Sequence, residues 1–191
     1  VNKQTPSGYE SEGRYVLDVG RYFSGHGDYD TTETLALRKE AFMRIARIVR
    51  DLPEVEYFSI SGSNAFPNAG GFYGDAFFAD TTQAAKEKGM HVQWTQNCCD
   101  EGSQFFLTYG MKDARNGKDI IVPVDAADRE LCFIPADMAK KLYGTVEVVG
   151  KKIFFAGGAQ SAEIAGVFED YKHRDYNQPY PFAVRFSTGL V

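Results

Sequence analysis

The sequence of 191 residues contains no apolar run close to the roughly 18 residues of a membrane-spanning helix, and no signal peptide at its start. Its first residue is Val1 rather than an initiator Met. We therefore expect the chain to be a fragment, or a processed form, of a longer protein.

An excess of basic residues is also lacking. The formal net charge is -5, from 21 Lys and Arg against 26 Asp and Glu, and the longest basic runs are the pairs Lys140–Lys141 and Lys151–Lys152. Phosphate binding requires a basic stripe on the protein surface. The charge pattern therefore argues against a nucleic-acid partner and against an anionic membrane surface.

Cysteine is scarce: Cys98 and Cys99 are adjacent, and Cys132 stands alone. An odd count permits at most one bridge within the chain, and vicinal cysteines rarely bond because the geometry is strained. A bridge from Cys98 or Cys99 to Cys132 stays open for an oxidising compartment. Buried free thiols are the favoured interpretation.

Metal-binding spacing is missing. The three histidines, His26, His91 and His173, are not four residues apart, and there is no Cys-x-x-Cys. His26 with Asp28 and Asp30 supplies too few ligands, because Asp30 is better placed as a helix cap. We predict no metal-binding residue.

Catalytic patterns are equally weak. Cys98 or Cys99 with His91 imitates a thiol and its base, but the acidic pair Asp100–Glu101 next to the thiols would raise their pKa. The acidic residues of 125–130 and of Glu169–Asp170 are typical of solvated turns rather than of a glycosidase acid pair. Two glycine pairs do not form a phosphate-binding pattern before a helix and are predicted to be turns: Gly70–Gly71 and Gly157–Gly158. We predict no catalytic and no cofactor-binding residue, and no enzyme activity.

The composition that is present is that of a globular domain. Apolar residues make up 43% of the chain and charged residues 25%, with Tyr and Phe enriched. A chain of this length buries roughly 70% of its unfolded surface, so a core needs no disulfide or metal. The aromatic stretch Phe72–Phe78 would line a sugar or peptide groove if exposed, but core packing is its commoner fate.

The first half of the chain predicts a strand, a helix and a strand. Apolar residues alternate in Arg14–Gly20, and an amphipathic helix follows from the capping box of Asp30 and Glu33 to Leu52, ended by Pro53. Its apolar stripe consists of Leu35, Ala41, Phe42, Ile45, Ile48, Val49 and Leu52. With a strand at Val55–Ser61 this forms a βαβ unit, which implies parallel pairing and a right-handed crossover.

The remaining elements are shorter. A helical turn is predicted at Ser103–Tyr109, a turn at Asn116–Gly117, and a helix that starts at Pro135 and is capped by Gly144. Further strands are predicted at Tyr73–Ala79, His91–Thr95, Ile120–Val122, Glu130–Phe133, Lys151–Ala156, Glu163–Phe168 and Pro181–Phe186.

A family resemblance covers the chain from about Arg14 to Phe186. Its most recognisable parts are six segments, in this order: Leu52–Ser59 (Leu-Pro-Glu-Val-Glu-Tyr-Phe-Ser), Phe105–Met111, Ala136–Gly144 (Ala-Asp-Met-Ala-Lys-Lys-Leu-Tyr-Gly), Val149–Ile153, Ala165–Tyr171 (Ala-Gly-Val-Phe-Glu-Asp-Tyr) and Pro179–Phe186. The set resembles the periplasmic core domain of MacB-like ABC transporter permeases, of the MacB/FtsX type. Glu54 stands where that family usually has Gly, Pro135 where it commonly has Asn or Ser, and Cys98–Cys99 has no counterpart.

The resemblance implies an α+β fold with two lobes. A porter-like, βαβ-containing lobe would consist of residues 1–102 and 172–191, and a smaller mixed α/β lobe, residues 103–171, would be inserted into it. The termini, Val1 and Val191, would emerge near each other where two membrane helices continue.

The resemblance also implies a role in which the domain catalyses no reaction. The domain would lie on the periplasmic side of the bacterial inner membrane, transmit conformational change and contact substrate or partner proteins. ATP would be hydrolysed by a cytoplasmic subunit or domain coupled through the membrane region, and the full-length permease would form a dimer. No binding residue of the family maps onto a matched motif. The alternatives are a secreted carbohydrate- or peptide-binding module, and a hydrolase with a buried carboxylate pair.

Overall fold

The computed structural model describes residues 12–15, 17, 32–61, 73–98, 103–171 and 182–187. Within these ranges the helices are α1 (Thr32–Arg50), α2 (Gln83–Glu87), α3 (Phe105–Thr108) and α4 (Ala136–Tyr143). The strands are β1 (Ile60–Ser61), β2 (Tyr73–Phe77), β3 (Met90–Cys98), β4 (Leu131–Pro135), β5 (Lys152–Phe155), β6 (Gln160–Phe168) and β7 (Phe182–Ser187), with a 3-10 turn at Ala156–Gly158.

The strands form one mixed sheet in the order β1-β3-β7-β4-β6-β5, and β2 pairs with the same edge of β3 as β1 does. Strands β3 and β7 are parallel, as are β4 and β6, whereas β4 and β7 are antiparallel. The chain thus combines helices with a mixed sheet in which most strand pairs are antiparallel. This confirms the predicted α+β class.

One pair of hydrogen-bonded residues joins the two ends of the sheet. Phe78, which follows β2, donates its backbone N–H to the carbonyl of Phe154 in β5 at 2.8 Å, and Phe154 donates back to Phe78 at 3.0 Å. This pair joins the start of the sheet to its far end. The outer edge of β5 is therefore covered at this point rather than open to pairing with another chain.

Helix α1 confirms the predicted amphipathic helix but buries a narrower face than its sequence suggests. Met43 and Ala46 are buried, while Ile48 and Leu52, both assigned to the buried stripe, are 60% and 46% exposed. The helix ends at Arg50, three residues before Pro53. The predicted cap at Asp30 lies outside the described residues.

Three predicted strands need correction. The strand predicted for Val55–Ser61 is reduced to β1, which pairs antiparallel with β3. The segment Ile120–Val122 is not a strand: Ile120 and Val122 are buried and Ile121 is exposed, as alternation requires, but Pro123 lacks the N–H that a ladder needs. Of the predicted first strand, residues 14, 15 and 17 are described and are not in a strand.

The observed bounds of helix α4 agree closely with those predicted from the sequence. Pro135 is the residue before the first helical turn rather than within it, and Gly144 ends the helix in the left-handed conformation with φ 76°. Glycine adopts this conformation without the clash that a Cβ would cause. The helix predicted here is thus confirmed, with its start moved by one residue.

The sheet separates two apolar clusters. One contains Cys132, Ile134 and Ala183 and is covered by α4 through Met138. The other contains the alternate residues of the same strands and is covered by α3 and residues 111–126. Its members are Phe105, Phe106, Met111, Ile120, Val122, Ala126, Leu131, Phe133, Phe168, Tyr171, Phe182, Val184 and Phe186.

These clusters draw on both predicted lobes. Strand β7 comes from the segment assigned to the porter-like lobe, and β4 from the inserted segment, yet Cys132 and Phe133 of β4 are direct neighbours of β7 in the sheet. The division at residues 103 and 171 stays a prediction. The described strands on both sides of it share one hydrogen-bonded sheet.

Candidate functional site

A groove of about 450 Å³ lies between the C-terminal half of α1, the segment 55–60, the start of α3 and residues 121–122. Its volume is within the range of ligand-binding clefts. The lining residues are Ala46, Arg50, Val55, Glu56, Tyr57, Phe58, Ile60, Ser103, Gln104, Leu107, Ile121 and Val122.

Two polar side chains at the start of α3 build one wall of this groove. The side-chain oxygen Oε1 of Gln104 accepts the backbone N–H of Phe58 at 2.9 Å, which ties the segment 55–60 to α3. The Ser103 hydroxyl oxygen accepts the backbone N–H of Phe105 at 3.3 Å and so helps to fix the first turn of α3. Both hydrogen bonds therefore hold backbone segments in place, at Phe58 and at Phe105.

The exposed lining residues at the mouth of the groove are both charged and apolar: Arg50, Glu56, Tyr57 and Ile121. Ile121 is 70% exposed and Tyr57 is 38% exposed. A hydrogen bond from Tyr57 to the Glu56 carboxylate raises the pKa of the Tyr57 hydroxyl, and the negative charge of Glu56 adds to the effect. The groove offers van der Waals contact and hydrogen bonds, and its one carboxylate, Glu56, has no second acid beside it among the lining residues.

Asp113 is a buried acid, with 7% of the residue exposed. Its carboxylate accepts the Arg115 side-chain Nε–H at 2.9 Å and 3.2 Å and the Arg115 backbone N–H at 2.9 Å. The Arg115 guanidinium lowers the pKa of Asp113. The backbone carbonyl of Asp113 accepts the N–H of Gly117 at 2.8 Å, so the ion pair lies at the start of the turn at Asn116–Gly117.

The hypothetical thiol–base pair is separated by the geometry of β3. His91 and Cys98 lie seven residues apart on this strand, a distance of about 23 Å at 3.3 Å per residue. His91 is exposed next to Gly74. The backbone of β3 therefore holds Cys98 and His91 too far apart for direct contact, while Cys99 lies outside the described residues.

A bridge between Cys98 and Cys132 is excluded as well. Arg185 of β7 is paired with Gln96 on one side and with Cys132 on the other, so Cys132 is two strand spacings, about 10 Å, from Gln96. Cys98 is two residues further along β3, and a disulfide requires Cα atoms within about 7 Å. Cys132 is a buried free thiol, as predicted.

The acidic clusters lie where the sequence placed them. Asp125, Asp128 and Glu130 are exposed, and Arg129 pairs with Asp125 at 3.8 Å. Glu169 and Asp170 are exposed too. Asp125, Asp128 and Glu130 thus lie in an exposed turn, as predicted, whereas Glu169 and Asp170 follow β6 outside a turn and Asp170 accepts the backbone N–H of Asp137.

Searches with the sequence match no protein-family model and no curated protein.

Three solved structures show a distant likeness to the fold. The extracellular domain of the noncanonical ABC-type transporter YknZ from Gram-positive bacteria matches 74% of this chain and 60% of its own, with 12% identity and a TM-score of 0.46. The periplasmic region of MacB from Actinobacillus actinomycetemcomitans matches 76% of this chain and 54% of its own, with 11% identity and a TM-score of 0.45. A domain of a putative permease protein from Porphyromonas gingivalis matches 71% and 48%, with 21% identity and a TM-score of 0.42.

The chain spans about half to three fifths of the length of these solved structures. None of the helices in the described ranges is long and apolar enough to cross a membrane. In the same ranges, no three His, Cys, Asp or Glu side chains lie together as metal ligands would.

The aromatic stretch is divided between core and undescribed residues. Phe77 and Phe78 are buried, which confirms core packing for these two, and Phe77 stacks on Phe155 with ring centroids 5.3 Å apart. Phe72 lies outside the described residues. Phe77 and Phe78 therefore do not line a sugar or peptide groove.

Several predicted positions lie outside the described residues: His26, Asp28, Asp30, Gly70, Gly71, Cys99 and His173. Gly157 and Gly158 lie in the 3-10 turn after β5, which confirms the predicted turn. The groove was not predicted from the sequence. Its walls come from four separate segments, so no local spacing records it, and the amide of Gln104 carries no motif.

Proposed function

We propose that the chain is the extracytoplasmic domain of a MacB/FtsX-type ABC transporter permease, and that it transmits conformational change without catalysing a reaction. The proposal starts from the resemblance carried by Ala136–Gly144 and Ala165–Tyr171.

The observation that carries the proposal is the contact between these two motifs. Strands β4 and β6 are parallel neighbours, with Pro135 paired to Phe168, and the Asp170 carboxylate accepts the backbone N–H of Asp137 at 2.8 Å. Segments that are remote in the sequence thus form one structural unit. A resemblance that falls on a connected unit is less easily explained by chance than one scattered over the surface.

Transmission of movement is supported by the continuity of the sheet. Strand β7 is hydrogen-bonded to β3 on one side and to β4 on the other, and the Phe78–Phe154 pair joins β2 to β5. Close-packed cores on both faces resist compression. A displacement of one strand therefore reaches its neighbours through backbone hydrogen bonds and packed side chains rather than through flexible loops.

The partners follow from the same proposal. A cytoplasmic ATPase subunit or domain would act through the membrane region, and a substrate or a periplasmic protein would contact this domain. We also propose a dimer in the full-length permease and a position on the periplasmic side of the bacterial inner membrane. The secreted binding module is not favoured, because Phe77 and Phe78, on which it depended, are in the core.

The experiment that tests the location uses the full-length polypeptide in its own bacterium. Lys118 is exposed at the turn after Asn116–Gly117, so Lys118→Cys offers a reporter thiol in a background in which Cys98 and Cys99 are replaced by Ser. A membrane-impermeant maleimide should label this thiol in intact spheroplasts. The matched control keeps Lys118 and retains buried Cys132, and it should stay unlabelled.

Labelling that requires lysis of the spheroplasts would contradict the proposed location. A full-length coding sequence without flanking hydrophobic spans would contradict the permease assignment itself. These two results are distinguishable, because the first concerns orientation and the second concerns membrane anchoring.

A further inference from the structure

We draw no further inference here: the strongest candidate, the groove between helix α1 and residues 103–107 and 121–122 with the exposed apolar side chains at its mouth, carries nothing because no feature of the described structure shows what covers it.

Discussion

The Asp170 carboxylate accepts the backbone N–H of Asp137 at 2.8 Å and so caps a helix that has no cap of its own. Helix α4 follows Pro135, whose side chain cannot accept a hydrogen bond, and the cap position makes no side-chain hydrogen bond. The first N–H groups of a helix need acceptors, and a negative charge there also interacts favourably with the helix dipole. Asp170 supplies both from the end of β6.

We expect Asp170→Ala to lower the free energy of unfolding by about 1 kcal/mol, the usual effect of losing a helix cap. Asp170→Asn keeps an acceptor and should cost less than Asp170→Ala, because it removes the charge and leaves the hydrogen bond. Urea denaturation at neutral pH measures both changes. Glu169→Ala is the matched control, since Glu169 is the neighbouring acid and is also exposed. Equal losses for Asp170→Ala and Glu169→Ala would contradict the capping role.

A second prediction concerns Gly166, which lies in β6 against an aromatic ring. A Cβ at this position would lie 2.7 Å from Cδ1 of Phe133, closer than real carbon atoms approach. Phe133 cannot easily retreat, because its ring packs against Phe106 at 4.9 Å and against Phe186 at 5.6 Å. Gly166→Ala should therefore cost about 1–3 kcal/mol, the usual effect of overpacking a core.

The steric origin of that cost is tested by a double-mutant cycle. Phe133→Leu alone should destabilise, because it leaves a cavity. If the clash with the ring is the cause, Gly166→Ala should cost less in the Phe133→Leu background than in the unmodified protein. Additive losses would show that Gly166 is required for another reason.

The bounds of helix α4 could be predicted from the sequence, whereas the groove could not. Gly144 and Pro135 bound α4 through local backbone chemistry, and both are readable from their neighbours. The strands predicted at Glu130–Phe133 and Pro181–Phe186 are short, mostly apolar runs, which are also readable from neighbouring residues. The cap at Asp170 is not readable, because its partner, Asp137, is 33 residues away. The groove escapes prediction likewise, because Gln104 and Phe58 meet only in the folded chain.

The shortened β1 shows how tertiary context overrides propensity. The segment Val55–Ser61 is rich in strand formers, but only Ile60 and Ser61 pair with β3. The backbone N–H of Phe58 is instead bonded to the Gln104 side chain. Strand propensity largely reflects how well side chains fit a half-buried surface, so it does not fix where pairing ends.

A third prediction concerns the reactivity of Cys132. Its side chain is fully buried, and burial raises the pKa of the thiol to about 12, with Arg185 offsetting this only in part. The thiolate is the reactive form, so at pH 8 the folded protein should expose almost no nucleophile. In a Cys98→Ser, Cys99→Ser background, labelling with a disulfide reagent should follow unfolding in urea. Rapid labelling under native conditions would contradict this burial.

The last prediction concerns acid unfolding and the Asp113–Arg115 pair. Arg115 lowers the pKa of Asp113 in the folded state, whereas the pKa of the carboxyl in the unfolded chain is about 3.9. The pair therefore contributes stability that is fully present above about pH 4 and is lost as the pH falls through the lower folded-state pKa. In Asp113→Asn, the free energy of unfolding should start lower at neutral pH and fall less between about pH 4 and pH 2. Asp128→Asn, which removes a carboxylate at an exposed position, is the control. A steep acid loss that persists unchanged in Asp113→Asn would place its origin at other carboxyl groups.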